Sequence, residues 1–173
     1  MQILAARRYY TPRNGPLTLE QAETRRLAYA IKSTASPGAD FDTAAREMAA
    51  LISGPCWLVP IPDSTGNTDA NTRLASLIAG YCPGAQVAKA IHRTQPVQSQ
   101  CARHKLALGP ITPEQHHFAR TRKMLTLRQT YFVDNVTTSG HTLEAARAAL
   151  GFSVGLVFAD PASHRTQIQA TLF

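Results

Sequence analysis

The stretch YFVDNVTTSGHT, residues 131–142, has the pattern of a strand, a polar turn and the start of a helix. Residues 131–133 are a short apolar run that ends at an acidic residue, and small hydroxyl residues and a glycine follow it. The next apolar periodicity predicts a helix over residues 143–150, with Gly151 just past its end. A strand that passes so directly into a helix is typical of a parallel α/β sheet, in which ligands bind at the carboxyl ends of the strands.

The turn between this strand and helix carries groups that hold a phosphate and a sugar. The first backbone N–H groups of a helix are unpaired and carry partial positive charge, hydroxyl groups add donors, and glycine lets the backbone approach an anion. Asp134 and Asn135 precede the turn and are placed to bond sugar hydroxyls. The predicted phosphate-binding residues are Thr137, Thr138, Ser139, Gly140, His141 and Thr142. Alternatives are a plain connection with Asp134 as a helix cap, and a solvent-facing position for His141.

Helices and short β-branched runs alternate along the rest of the chain. This pattern predicts an α/β fold with a doubly wound, mainly parallel sheet flanked by helices. Thr18 begins the first helix through a capping box with Gln21. Further helices are predicted over residues 41–53, over residues 70–79 with Gly80 as the end, and from Thr112 onward. Further strands are predicted over residues 56–61, 87–91 and 153–159, and an edge strand over residues 166–173.

We interpret residues 1–173 as a single domain. A small N-terminal helical portion occupies residues 1–54, and the core occupies residues 55–173. Residues 92–111 have little periodicity, and a loop of this length is typical of segments that work or move. His116 and His117 are interpreted as surface residues.

Composition restricts the class of partner. A net charge of +7 indicates an anionic partner, which could be nucleic acid, an acidic surface or a phosphorylated metabolite. The three cysteines are scattered, and Cys101 with His104 lacks the second ligand pair of a zinc site. No apolar run approaches the roughly 20 residues of a membrane span, and the N-terminal apolar stretch is too short for a secretory signal. The expected location is therefore the cytoplasm, with no membrane partner.

The segment VDNVTTSGHT resembles the binding signature of type I phosphoribosyltransferases, which is an apolar strand, two usually acidic residues and a Thr-Thr-Gly-x-Thr-like loop. Asn135 is the departure, because an acid is more usual there. The likeness is closest to the ComF-type branch, whose Val-Pro-x-Pro strand end and Asn-containing helix start are matched by residues 59–62 and by Asn71. The Arg-Gly-Phe of that branch and its N-terminal zinc-binding region are missing.

This resemblance implies further site residues. The loop after the first core strand would bind pyrophosphate, and a flexible loop would close over the substrate. The implied pyrophosphate loop is Asp63, Ser64, Thr65 and Gly66, and the implied cations of the flexible loop are Arg93, Arg103, His104 and Lys105. Mg²⁺ would come with the pyrophosphate substrate, and no direct ligation of a metal by side chains is predicted.

The resemblance also implies an activity. Type I phosphoribosyltransferases are glycosyltransferases of nucleotide metabolism, which displace pyrophosphate from 5-phosphoribosyl-1-pyrophosphate with a nitrogen nucleophile. The alternative is a non-catalytic module of the same fold that senses a ribose phosphate or associates with nucleic acid, and Asn135 and the positive charge motivate it. A homodimer is left open, and so is a contribution of residues 1–50 to the specificity for the acceptor.

Overall fold

The computed structural model describes residues 2–10, 15–99, 102–103, 106–109, 111–121, 128–137, 139–151 and 153–161. In chain order the helices are α1 (Leu19–Ala30), α2 (Gly38–Ala49), α3 (Asp69–Tyr81) and α4 (His141–Leu150), with a short 3-10 turn at Glu114–His116. The strands are β1 (Ile3–Arg8), β2 (Cys56–Pro60), β3 (Gln86–Val87), β4 (Ile91–Arg93), β5 (Phe118–Arg120), β6 (Gln129–Val136) and β7 (Val154–Asp160). Within these residues, no helix combines the length and the apolar composition needed to cross a membrane.

Five strands form one parallel sheet in the order β1-β7-β6-β2-β3. Side chains that alternate along its central strands enter two separate apolar clusters, so that Leu58 and Val133 face one and Val59 and Phe132 face the other. All four are fully buried. A parallel sheet that is buried on both faces needs helices on both sides. The predicted α/β class with a parallel sheet flanked by helices is confirmed, and the arrangement is compatible with double winding.

Different elements cover the two faces. Helices α1, α2 and α3 pack over the face that carries Leu58, and α4 packs with the antiparallel β4–β5 pair over the face that carries Val59. Gly155 of β7 lies beneath α4, and a Cβ atom at this position would come within 2.7 Å of Leu143 Cδ1. The missing side chain therefore lets α4 sit close to the sheet, and this contact positions the start of the helix.

The direction of winding reverses between β2 and β6. From β2 the chain passes through α3 to β3 on one side, and from β6 it passes through α4 to β7 on the other. The two connecting loops therefore leave the sheet in opposite directions and open a crevice beyond the carboxyl ends of these strands. This crevice is the place where sheets of this kind bind ligands.

Two of the predicted helices have different bounds in the structure. Thr18 and Gln21 form the predicted capping box of α1. Helix α2, in contrast, starts at Gly38 and ends at Ala49. The N–H groups of Leu51 and Ile52 donate to carbonyl groups three residues back instead of four, so the α-helical pattern stops. Gly80 does not end α3 but lies within it, and the chain reverses later, at Gly84 with φ +84°.

Other segments differ in type. Residues 3–8, in the part predicted as helical, form β1 at the edge of the sheet. The predicted strand over residues 87–91 is two strands, because Ala90 N–H bends back to the Ala88 carbonyl at 2.8 Å and directs β4 to the β5 partner. The predicted helix from Thr112 is only the 3-10 turn, which ends at His117 in the left-handed conformation. The predicted edge strand over residues 166–173 lies outside the described residues.

Gly80→Ala is expected to raise the free energy of unfolding by about 0.5–1 kcal/mol, because alanine loses less backbone entropy in a helix interior. The position is exposed and a Cβ atom there meets nothing within 4 Å. Urea denaturation measures the change. Gly84→Ala is the matched control and should destabilise, since its φ is +84° and its Cβ atom would lie 3.3 Å from Pro55. A loss of stability in Gly80→Ala would contradict the helical position of this glycine.

Candidate functional site

A cleft of about 1040 Å³ opens at the divide between β2 and β6. The loops after these two strands line it, together with side chains from the β4–β5 side, from the end of β1 and from the turn after α1. The sequence-predicted site residues that line the cleft are Asp63, Ser64, Arg93, Asp134, Asn135, Thr137, Ser139, Gly140, His141 and Thr142. The structure thus brings together most of a set that the sequence spreads over eighty positions, from 63 to 142.

The carboxyl group of Asp134 lies inside the cleft at the end of β6. Its Oδ1 atom accepts a hydrogen bond from Asn71 Nδ2 at 3.2 Å and one from the backbone N–H of Asn135 at 2.8 Å. The Asn135 side chain turns to its own backbone, since its Oδ1 accepts from the N–H of Val136 at 2.7 Å. Both residues belong to β6, whereas the sequence pattern predicted that the strand ends at Val133. The backbone of a strand, and not of a loop, therefore orients both side chains.

Burial raises the pKa of Asp134 to about 6, and hydrogen bonds from Asn135 and Asn71 only partly oppose this effect. The charges of Lys32 and Arg93 act in the same direction as the hydrogen bonds. A raised pKa means that the carboxylate is costly to hold in the folded protein without a further donor. A ligand that donates hydrogen bonds to this group would offset that cost.

Asn71 was part of the sequence resemblance but was not among the predicted site residues. It lies in the first turn of α3 and is buried, and its Nδ2 atom also donates to the carbonyl of Ile61 at 2.8 Å. It therefore ties the carboxyl end of β2 to that of β6. The signal for this role was an asparagine at a helix start after a polar loop, but the distance of 63 residues to Asp134 hid the contact.

Two hydrogen bonds and a glycine shape the turn that joins β6 to α4. The N–H of Thr137 donates to the Ala159 carbonyl at 3.2 Å, and its hydroxyl accepts from the N–H of Gly140 at 3.2 Å. Gly140 has φ +79° and is the N-cap of α4, and as a glycine it offers no side chain to the first N–H groups of the helix. Ser139 and Thr142 line the cleft beside it. Thr138 lies outside the described residues.

His141 is the first residue of α4 and is half-buried, so it is not the solvent-facing loop residue of the alternative interpretation. Its Nδ1 atom lies 2.9 Å from the carbonyl oxygen of Ile111. Because a carbonyl can only accept, Nδ1 carries the proton, and Nε2 is the acceptor of the neutral ring. This contact links the start of α4 to the segment before the 3-10 turn.

The loop after β2 is held by one carboxylate. Asp63 Oδ1 accepts from the N–H and the hydroxyl of Thr65, at 2.8 and 2.7 Å, and from the N–H of Asn67 at 3.0 Å. Gly66 completes the turn with φ +95°. Asp63 and Ser64 line the cleft, and Thr65 and Gly66 do not. The first two predicted pyrophosphate-loop residues are thus at the cleft, while the last two shape the loop from behind.

The prediction that Arg93 belongs to a flexible loop is wrong, because Arg93 lies in β4. Its Nε atom donates to the Asp63 carbonyl at 2.5 Å, and its NH1 group donates to the His116 carbonyl. The guanidinium also lies over the Phe118 ring, 4.3 Å from its centroid. Burial lowers the pKa of Arg93 to about 10, and it stays a cation at neutral pH. The β4–β5 pairing fixes this charge against the loop after β2.

Of the other predicted cations of the flexible loop, Arg103 alone is among the residues that the structure describes. Arg103 donates from Nε to the Gly109 carbonyl at 2.8 Å and does not line the cleft. His104 and Lys105 lie outside the described residues.

His116 was interpreted as a surface residue, and this is wrong: its exposed fraction is 5%. Its ring stacks on Phe118 with the centroids 5.6 Å apart, and Nδ1 lies 3.3 Å from Arg93 NH2. Burial and the neighbouring Arg93 charge lower the pKa of His116 to about 4, so the ring is neutral at physiological pH. Sequence reasoning missed it because the β4–β5 pair, with strands of three residues, gave no periodicity to recognise.

Carboxylates near the cleft are dispersed. Among the described residues, no group of three or more His, Cys, Asp and Glu side chains could hold a metal ion. Asp63, Asp69 and Asp134 line the cleft, and oxygen donors of this kind suit Mg²⁺ when a phosphorylated ligand supplies further oxygens.

A comparison with models of known protein families found no match, and a comparison with curated proteins found none either.

Proposed function

We propose that this chain binds 5-phosphoribosyl-1-pyrophosphate on a type I phosphoribosyltransferase-like fold and transfers the phosphoribosyl group to a nitrogen nucleophile. The observation that carries the proposal is that Asp134, the turn from Thr137 to Thr142 and the loop at Asp63 line one cleft at the divide of the sheet. In the reaction, a bond forms between the acceptor nitrogen and carbon 1 of the ribose. The bond from that carbon to pyrophosphate breaks, pyrophosphate takes the electron pair, and the nitrogen loses a proton.

The ribose phosphate would occupy the β6 side of the cleft. Backbone N–H groups at the start of α4 and the hydroxyls of Ser139 and Thr142 would donate to the phosphate, and Gly140 leaves room for its approach. Asp134 would accept from the ribose hydroxyls in place of water. A charge-assisted hydrogen bond at this partly desolvated carboxylate is stronger than a neutral one.

The pyrophosphate would occupy the β2 side. Arg93 is a half-buried cation that contacts carbonyl groups, a histidine ring and an aromatic face. Within the described residues, no ion pair joins it to a carboxylate. An anion bound at the loop of Asp63 and Ser64 would neutralise the positive charge of Arg93. Preorganised cations that face a leaving group stabilise the negative charge it develops.

Mg²⁺ would be brought by the pyrophosphate, with Asp63 and Asp134 as the side chains able to contribute oxygen atoms. The ion supplies neutralisation of the leaving group when it is bound. This donor set fits an ion that keeps several of its own waters and binds through one or two carboxylates and substrate phosphates.

A second candidate is a non-catalytic sensor of ribose phosphates on the same fold. The observation that favours it is Asn135, whose side chain is neutral and already bonds the N–H of Val136. A neutral amide cannot share the charge of a metal-bound substrate. Association with nucleic acid, motivated by the net charge of +7, would show as binding that weakens steeply with salt.

Calorimetry with phosphoribosyl pyrophosphate, with and without Mg²⁺, tests the proposal. We expect saturable binding that Mg²⁺ strengthens, and release of pyrophosphate when a panel of heterocyclic bases and amines is added. Binding without release across the panel would favour the sensor. Absence of binding by both phosphoribosyl pyrophosphate and nucleoside monophosphates would overturn both candidates.

A further inference from the structure

The end of β1 and the turn after α1 give the cleft a wall that the proposed phosphoribosyl chemistry does not use. Tyr9, Tyr29 and Lys32 line it, and each of the two phenols influences the pKa of the other. Tyr29 remains 53% exposed, which is high for a large aromatic side chain in a cleft. Its ring has a cation on either side in the sequence: Arg25 Cζ lies 5.5 Å and Lys32 Nζ lies 5.1 Å from the ring centroid.

Lys32 has no carboxylate partner among the described residues, whereas two arginines of the same region have one. Arg7 pairs with Glu47 at 2.6 Å, and Arg26 pairs with Asp40 at 2.8 Å. Within the part of the chain that the structure describes, no ion pair joins a carboxylate to Lys32. Lys32 therefore leaves at the cleft one positive charge that no ion pair of this part neutralises, whereas Arg25 does not line the cleft.

Lys32 lies near the sugar-binding end of the cleft as well as near the aromatic ring. Lys32 and Asp134 line the same cleft, and Lys32 Nζ lies 5.1 Å from the centroid of the Tyr29 ring. In agreement with this placement, the charge of Lys32 acts to lower the pKa of Asp134 and that of Tyr29. An acceptor that approaches a ribose held at Asp134 would come into the field of Lys32. The phosphates would lie elsewhere, at the two loops, which leaves this cation to the acceptor.

We propose that the acceptor is an aromatic heterocycle that carries a carboxylate, with its ring against Tyr29 and its carboxylate at Lys32. This inference rests on the proposed function and names its substrate class. A neutral heterocycle would displace water from the ammonium group of Lys32 without replacing the lost hydrogen bonds, which costs free energy. A carboxylate would replace them with a charge-assisted hydrogen bond. An aliphatic amine would leave the exposed ring of Tyr29 unused.

Calorimetry with two matched pairs of probes tests the substrate class. The pairs are a pyridine carboxylate and a pyrimidine carboxylate, each against its own carboxamide, with ribose 5-phosphate present as an unreactive occupant of the sugar site. We expect the native chain to prefer each carboxylate by about tenfold or more. Lys32→Met should reduce this preference to within about twofold, and Lys89→Met, at an exposed lysine outside the cleft, should leave it unchanged.

A second pair of variants tests the ring. Tyr29→Leu should weaken both members of each probe pair by a similar factor of about tenfold, because stacking does not depend on the carboxylate. Tyr81→Leu, at another exposed tyrosine outside the cleft, is its control. Equal affinity for carboxylates and carboxamides in a native chain that binds phosphoribosyl pyrophosphate would overturn the acceptor class alone. Lys32→Met that weakens phosphoribosyl pyrophosphate and not the carboxylates would also overturn it. A native chain that does not bind phosphoribosyl pyrophosphate would remove the proposed function itself.

Discussion

Asp134→Asn is expected to stabilise the protein at about pH 7.5 and to weaken its binding of phosphoribosyl pyrophosphate by roughly 100-fold. Both effects have one cause. Burial raises the pKa of this carboxyl group to about 6, so the folded protein holds a charge that its surroundings disfavour. An amide has the same shape, keeps an oxygen that can accept from Asn71 and Asn135, and removes the charge. It also removes the charge-assisted hydrogen bonds that the ribose hydroxyls would donate.

The sign of the pH dependence follows from the two pKa values. The pKa of an aspartate in the unfolded chain is about 4, and the pKa of Asp134 in the folded chain is about 6. Between these pH values the folded state therefore binds more protons than the unfolded state. The native chain should therefore lose stability relative to Asp134→Asn as the pH rises from 4 to 6, and the full difference should be present above 6. We expect a difference on the order of 1–3 kcal/mol at neutral pH and almost none below about pH 4.

Chemical denaturation of both proteins across this pH range measures the stability, and calorimetry at about pH 7.5 measures the affinity. Asp69→Asn is the matched control, because Asp69 is an exposed carboxylate that lines the same cleft at the start of α3. This control removes one negative charge from the cleft, as Asp134→Asn does, but it should not stabilise the protein. Lower stability of Asp134→Asn at neutral pH would contradict the charge cost, and native affinity would contradict the role in ribose binding.

The turn after β6 could be predicted from the sequence because its signals are local. A strand, hydroxyl residues, a glycine and a helix follow one another within residues 131–150, and each has a backbone preference of its own. The same applies to the capping box at Thr18. Even here the observed end of the strand differs from the predicted one. β6 continues through Asp134 and Asn135 to Val136, and it therefore fixes two side chains that a loop would leave free.

The rest of the cleft depends on contacts between distant segments, which a single sequence does not reveal. Arg93 reads as a residue of an irregular loop, because β4 and β5 are each three residues long and pair only with each other. β1 was missed for a similar reason: its six residues include two arginines, and only the pairing with β7 makes it a strand. The burial of His116 depends on the β4–β5 pair, and the bond from Asn71 to Asp134 depends on the pairing of β2 with β6.

Gly140→Val is expected to abolish measurable binding of phosphoribosyl pyrophosphate and to lower the free energy of unfolding by about 1–3 kcal/mol. The backbone at this position has φ +79°, which a β-branched residue adopts only with strain. Space is not the cause, because the nearest atom to an added Cβ would be Ile3 Cδ1 at 3.9 Å. Relief of the strain would move the N–H of Gly140 away from Thr137 and turn the first N–H groups of α4 out of line.

Gly54→Val separates the loss of binding from the loss of stability. Gly54 has φ +74°, so the strain is nearly the same, but it follows α2, is exposed and does not line the cleft. Both variants should be destabilised to a similar extent in urea denaturation, and only Gly140→Val should lose affinity in calorimetry. Gly140→Ala, with the smaller side chain, gives the intermediate case if the valine variant does not fold. A folded Gly140→Val with native affinity would mean that no phosphate approaches this turn, because a bound phosphate needs the backbone conformation that only glycine adopts there without strain.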